Sequence, residues 1–200
     1  MARKSIQSLT ITAAALLAPT LAFAHTGVGT THGLVHGLAH PLSGLDHLLA
    51  MVMVGLFAFQ LGGRAMVLVP ATFVTVMALG GGLGMAGIAV PFVETGIALS
   101  VLVLGAVVAF GVKAPVAAAM GLVGLFAIFH GYAHGAEMPE TAGGLAYAAG
   151  FMAATALPHT AGLGLGLLLG RIDTRNGALA MRSAGGFAAV AGLGLLTGIL

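Results

Sequence analysis

Between Asp46 and Arg64 the chain carries no charged residue, and runs of the same kind recur up to its carboxyl end. About 20 apolar residues are what a helix needs to cross a hydrocarbon core ~30 Å thick. Within such a core only helices and closed barrels satisfy their own backbone polar groups. Six runs can be marked, at roughly 44–63, 66–86, 93–112, 115–134, 142–169 and 179–199. They are too uniformly apolar and too long for barrel strands, whose polarity alternates residue by residue. The predicted fold is therefore all-α, a polytopic bundle of six transmembrane helices occupying residues 40–200. Composition points the same way: 59% of the 200 residues are hydrophobic and 6% charged. Soluble domains hold roughly 45–50% and about 25%. Lipid offers no hydrophobic drive for helix association, so small residues must allow close contact. The pairs Gly80/Gly84 and Gly131/Gly135 and the series Gly162/Gly166/Gly170 are predicted to do so, while Pro70 and Pro158 should kink their helices.

Ahead of the bundle, Arg3 and Lys4 precede an apolar segment, Pro19 and a small-x-small site at Ala22-Phe23-Ala24. That order describes a cleavable signal peptide over residues 1–24, which places the mature amino terminus outside the inner membrane. Residues 25–39 then form a periplasmic arm rich in Gly, Thr and His, too polar to insert. With this start, Arg64, Lys113, Arg171, Arg175 and Arg182 all fall on the cytoplasmic side, as the distribution of basic residues in bacterial membrane proteins requires. The net charge of +2 rests on so few groups that it carries no signal for a nucleic-acid partner. Cysteine is absent, which excludes thiolate metal sites and cysteine catalysis. No phosphate-binding loop of the Walker type is present, so ATP is not expected to drive this chain.

Topology sorts the eight histidines by depth. His25, His32, His36 and His40 lie on the arm, His47 near the start of the first helix, and His130 and His134 at the outer end of the fourth; only His159 is deep, toward the cytoplasmic half of the fifth. If Pro41 opens the first helix, His40 and His47 share one face to within about 20°. His130 and His134 are neighbours at i,i+4, and Glu137 shares their face if the helix persists to Pro139. Glu94 begins the third helix at similar depth. Ionisable groups at membrane depth are costly and mark functional sites. The expected metal site is His40, Asp46, His47, Glu94, His130 and His134, with His25, His32, His36, Glu137 and His159 as weaker contributors. Imidazole with carboxylate suits Zn, Cu, Co, Ni or Fe as divalent ions, and a proton relay would use the same groups. Met51 and Met53 adjoin this face, although methionine here mainly reads as apolar filler.

The pattern His40-Pro41-x-x-Gly44-x-Asp46-His47-x-x-x-Met51-x-x-Val54-Gly55 resembles the signature of the HupE/UreJ family, membrane proteins associated with hydrogenase and urease gene clusters. Pro91-Phe92-Val93-Glu94-x-Gly96-Ile97 is similar to the start of that family's third helix. Phe129-His130-Gly131-Tyr132-Ala133-His134-Gly135-Ala136-Glu137 is similar to the end of its fourth helix, and Ala154-Thr155-Ala156-Leu157-Pro158-His159-x-Ala161-Gly162 to its fifth. The resemblance implies a secondary permease for Ni2+, or in some members Co2+, carried as cargo and not as a prosthetic group. It puts His40, Asp46 and His47 forward as metal-handling positions. Partners implied are the divalent ion, the bilayer and the maturation proteins of hydrogenase or urease, and a homo-oligomer is compatible with the sequence. A non-transporting metal-binding chaperone is the second reading, and an intramembrane metalloenzyme a distant third, since no substrate pocket is evident.

Cleavage after Ala24 would pair a free α-amine with the His25 imidazole, a chelating couple for a divalent ion. Blocking that amine is expected to weaken metal binding by the mature protein in titration calorimetry; an unchanged isotherm would remove the couple from the site.

Overall fold

The computed structural model describes residues 33–39, 41, 44–138, 144–172 and 174–200, and these form seven helices. They are α1 (Gly33–Ala39), α2 (Leu45–Leu61), α3 (Ala65–Met85), α4 (Val93–Ala109), α5 (Val116–Ala136), α6 (Gly144–Gly170) and α7 (Thr174–Thr197). No strand occurs among the described residues. Four helices, α3, α5, α6 and α7, are long and apolar enough to cross a membrane, while α2 and α4 are apolar but only 17 residues long. The last helix starts at Thr174, several residues before the expected 179, because residues 174–178 continue the helical turn on the amino-terminal side of the apolar run. The signal peptide lies outside the described residues.

Backbone proximity, set by glycine, fixes how the helices pair. A Cβ at Gly131 would collide with the Met77 carbonyl oxygen, and one at Gly80 would come within 2.5 Å of the Ile128 oxygen. The contacts Gly80 to Ile128 and Gly84 to Tyr132 advance together along α3 and α5, so these helices run parallel at near-contact distance. Similarly, α2 and α6 run parallel, with Gly162 against Val52 and Gly166 against the Phe59 ring. By contrast α4 and α7 run antiparallel, Gly105 facing Ala189 and Gly192 facing Leu102. Alternation along the chain then gathers Arg64, Lys113 and Arg171 at one end of the bundle, here the basic end, and Asp46, His47 and His134 at the other.

Polar side chains seal the basic end. The last turn of α4 and the loop after it present carbonyls that no helix continues to satisfy. Gln60 Nε2 donates to the Val112 oxygen at 2.7 Å, Arg182 donates to the Phe110 oxygen at 3.1 Å, and Lys113 Nζ donates to the Gln60 backbone oxygen. At the opposite end, α1 is a helical piece of the Gly-, Thr- and His-rich arm. It lies against α6, where a Cβ at Gly37 would collide with the Tyr147 oxygen and one at Gly150 with the Leu34 oxygen. Glycine here removes the side chain that would hold the two helices apart.

Adding one methyl group tests this packing. Gly131→Ala is expected to destabilise the bundle by about 1–3 kcal/mol through overpacking. Gly121→Ala, with nothing within 4 Å of the new atom, should be close to neutral. Denaturant unfolding in detergent measures both, and equal stabilities would refute the contact.

Candidate metal-handling site

At the histidine end three imidazoles meet. The His47 ring lies 4.4 Å from that of His130 and 4.2 Å from that of His134, edge to face in both cases. The spacing of His130 and His134 on α5 explains their shared face, and Gly131 and Gly135 beside them bring α5 hard against α3. All three histidines are buried. Met51 and Met53 are buried in the apolar core. A cavity of about 50 Å3 borders His134 between α3, α5 and α6, walled by Met77, Met85, Tyr147, Phe151 and Met152.

The hydrogen bonds around these rings determine where their lone pairs lie. His47 Nδ1 is 3.1 Å from Asp46 Oδ1, an oxygen that also accepts the His47 backbone N–H at 2.8 Å. A carboxylate only accepts, so Nδ1 carries the proton and Nε2 of the neutral ring carries the lone pair. Ser100 Oγ, wholly buried on α4, donates its single proton to the Ile97 oxygen at 2.6 Å. The hydroxyl must therefore accept from His130 Nε2, 2.7 Å away, and the lone pair of His130 falls on Nδ1. Deeper still, His159 on α6 donates from Nδ1 to the Thr155 oxygen at 2.6 Å, which leaves Nε2 as its acceptor. Neither His47 Nε2, His130 Nδ1 nor His159 Nε2 has a hydrogen-bond partner among the described residues.

This is how histidines that bind metals are commonly held: one nitrogen donates to a carboxylate, carbonyl or hydroxyl, and the other is presented to the ion. A purely structural imidazole would have both nitrogens engaged, because a buried polar group left unpaired costs about 1–3 kcal/mol. The fit to a borderline divalent cation is chemical: neutral imidazole nitrogen backed by oxygen acceptors. Among the described residues, no three His, Asp or Glu groups close around one point as a metal cage. The lone pairs are instead spread along the bundle, and the Phe73 ring separates the two depths, 5.5 Å from His130 and 5.0 Å from His159.

The other expected positions are placed differently. His25, His32 and His40 lie outside the described residues, and His36 falls on α1. The expectation that one helix carries His40 and His47 does not hold. Gly44, the cap of α2, is extended at φ −92° and ψ 123°, so the helix begins at Leu45. Glu94 stands exposed in the first turn of α4, after Phe92 in the left-handed conformation at φ 58°, turned away from the buried rings of His47 and His130. Glu137 caps the end of α5 and is exposed, because that helix stops at Ala136 and does not reach Pro139. His159 lies just past the midpoint of α6 and is 1% exposed. Sequence reasoning missed Ser100 and Phe73; the one available signal was a lone hydroxyl in the apolar run Ile97-Ala98-Leu99-Ser100-Val101.

The family model described as HupE / UreJ protein matches residues 13–195. Protein HupE of Rhizobium leguminosarum bv. viciae is 50% identical over 193 residues, covering 95% of this chain and 97% of that protein. No solved structure matches.

Replacing Ser100 by Ala removes the acceptor that holds the His130 tautomer. Affinity of the purified protein for Co2+ is expected to fall by about 10–100-fold. Ser100→Thr, which keeps the hydroxyl, should restore most of it; equal loss in both variants would refute the tautomer argument.

Proposed function

The chain belongs to the HupE/UreJ family, and from that premise we propose that it is an inner-membrane secondary permease. Its cargo in this reading is Ni2+, with Co2+ as the alternative, imported for maturation of a metalloenzyme such as hydrogenase or urease. It is a carrier and not an enzyme. All six apolar helices span the bilayer, with the mature amino terminus periplasmic and the basic end cytoplasmic. At 17 residues, α2 and α4 reach about 25 Å and stand at the short end of the spanning range.

The observation that carries the proposal is the series of buried imidazole lone pairs running from the histidine end toward the middle of the bundle. His47, His130 and His134 form the mouth of the path, with Asp46 fixing the His47 ring and offering negative charge to an arriving cation. His40 and Glu94 belong to the approach, along with the arm histidines. A divalent ion moving inward across ~100 mV gains about 4.6 kcal/mol, twice the 2.3 of a unit charge. The membrane potential is sufficient without ATP. A delivery chaperone would instead hold its ion in a closed ligand set, whereas a permease needs sites weak enough to release.

Radiolabelled nickel uptake by expressing cells tests the reading. Wild type should accumulate nickel above control cells, and His47→Ala should lose most of that excess. Unchanged uptake in the variant would sink the site. No excess in wild type, with purified protein still binding nickel, would favour the chaperone.

A further inference from the structure

We propose that Phe73 is the selectivity barrier of the bundle, an apolar ring that an ion must pass without its water shell. The role rests on the permease reading, while the closure itself can be read without transport. Phe73 lies on the inward stripe of α3, one turn from Val69 on one side and from Met77 on the other, and its own exposure is 0%. Its ring centroid is 5.5 Å from that of His130 and 5.0 Å from that of His159, tilted by 57° and 56°. Each of those imidazoles has one nitrogen committed: His130 Nε2 to the Ser100 hydroxyl and His159 Nδ1 to the Thr155 oxygen. The other nitrogens, His130 Nδ1 and His159 Nε2, are buried and have no hydrogen-bond partner among the described residues. One phenyl ring thus stands between two imidazoles that each keep a lone pair unused, at two depths of the bundle.

Hydration decides what such a ring lets through. Phe73 shares its apolar core with Met51, Val54, Val123 and Ala127, whose side chains offer a water no strong hydrogen bond. An apolar constriction of this kind excludes hydrated ions by shedding its own water. An ion passes only if new donors replace the waters it leaves behind. Imidazole nitrogen does so for Ni2+ and Co2+, whereas Mg2+ takes oxygen and dehydrates reluctantly. The histidines at the mouth favour the first kind of ion, and Phe73 denies the second kind a way round them. The ring needs only its two side-chain torsions to turn aside, and Gly80 and Gly84 keep α3 seated on α5 meanwhile.

The absence of cysteine from the chain gives a clean test of closure. In full-length His159→Cys, the new thiol should react slowly with a membrane-impermeant cationic methanethiosulfonate supplied at the histidine end of the bundle. Adding Phe73→Ala should raise that rate severalfold. Ala188→Cys, wholly buried between α4 and α7 away from the rings, should stay unreactive with either residue at position 73, which separates an opened path from a loosened fold. In reconstituted vesicles, Phe73→Ala should admit Mg2+ that the wild type excludes, and Phe73→Trp should lower the maximal rate of Ni2+ uptake while leaving KM unchanged. The barrier is overturned if the thiol of His159→Cys reacts equally fast with and without the ring, or if Phe73→Ala still excludes Mg2+. Wild-type vesicles that take up no Ni2+ would remove the permease reading instead, since thiol labelling reads the closure without transport.

Discussion

The glycine contact between α3 and α5 is the constraint from which the site follows. In lipid, helices gain nothing by burying leucine against leucine, so their association depends on how closely their backbones approach. Gly131 and Gly135 let α5 lie on Met77 and Gly81 of α3. Each stands one residue after a histidine. Once the glycine face is pressed on α3, the adjoining face, a residue's turn away, must point His130 and His134 at α2, and there they find His47. Packing and ligand placement are thus one geometric decision, and a side chain at Gly131 would disturb both.

Hydropathy gives the depth of a residue but not its rotation about the helix axis, and that separates what was legible from what was not. The apolar runs marked the long helices, and the i,i+4 rule paired His130 with His134. Depth likewise grouped His47 with them. Glu94 was assigned by depth alone, and the rotation of α4 leaves it exposed while turning Ser100 inward to His130. That rotation is set by Gly105 of α4 against Ala189 and by Gly192 of α7 against Leu102, a long-range contact with no local signature. The break between His40 and His47 has a local cause, the extended Gly44, and a glycine four residues past a histidine does not by itself announce it. In α1 glycine serves contact, since Gly37 meets the backbone of α6.

Each defined imidazole is oriented by a different acceptor: the Asp46 carboxylate at the mouth, the Ser100 hydroxyl below it and the Thr155 carbonyl near the middle of α6. The sequence of partners grades the electrostatics. In the permease reading, a full negative charge at the mouth would offset the dehydration of an arriving divalent ion. Farther in, hydroxyl and carbonyl hold their rings by hydrogen bonds without adding a net charge that would trap the ion.

Such grading resolves the apparent conflict between many histidines and no closed cage among the described residues. A cage of three or four donors gains affinity by surrounding the ion, and the same affinity opposes release. Single lone pairs at successive depths instead divide one deep well into several shallow ones. In the permease reading the potential would have only to carry the ion over the step between neighbours, and the Phe73 ring stands in the step between His130 and His159. For such a path an aromatic ring would be a barrier that moves by rotation about its own side-chain bonds, so the helices could stay locked at their glycines while it opens.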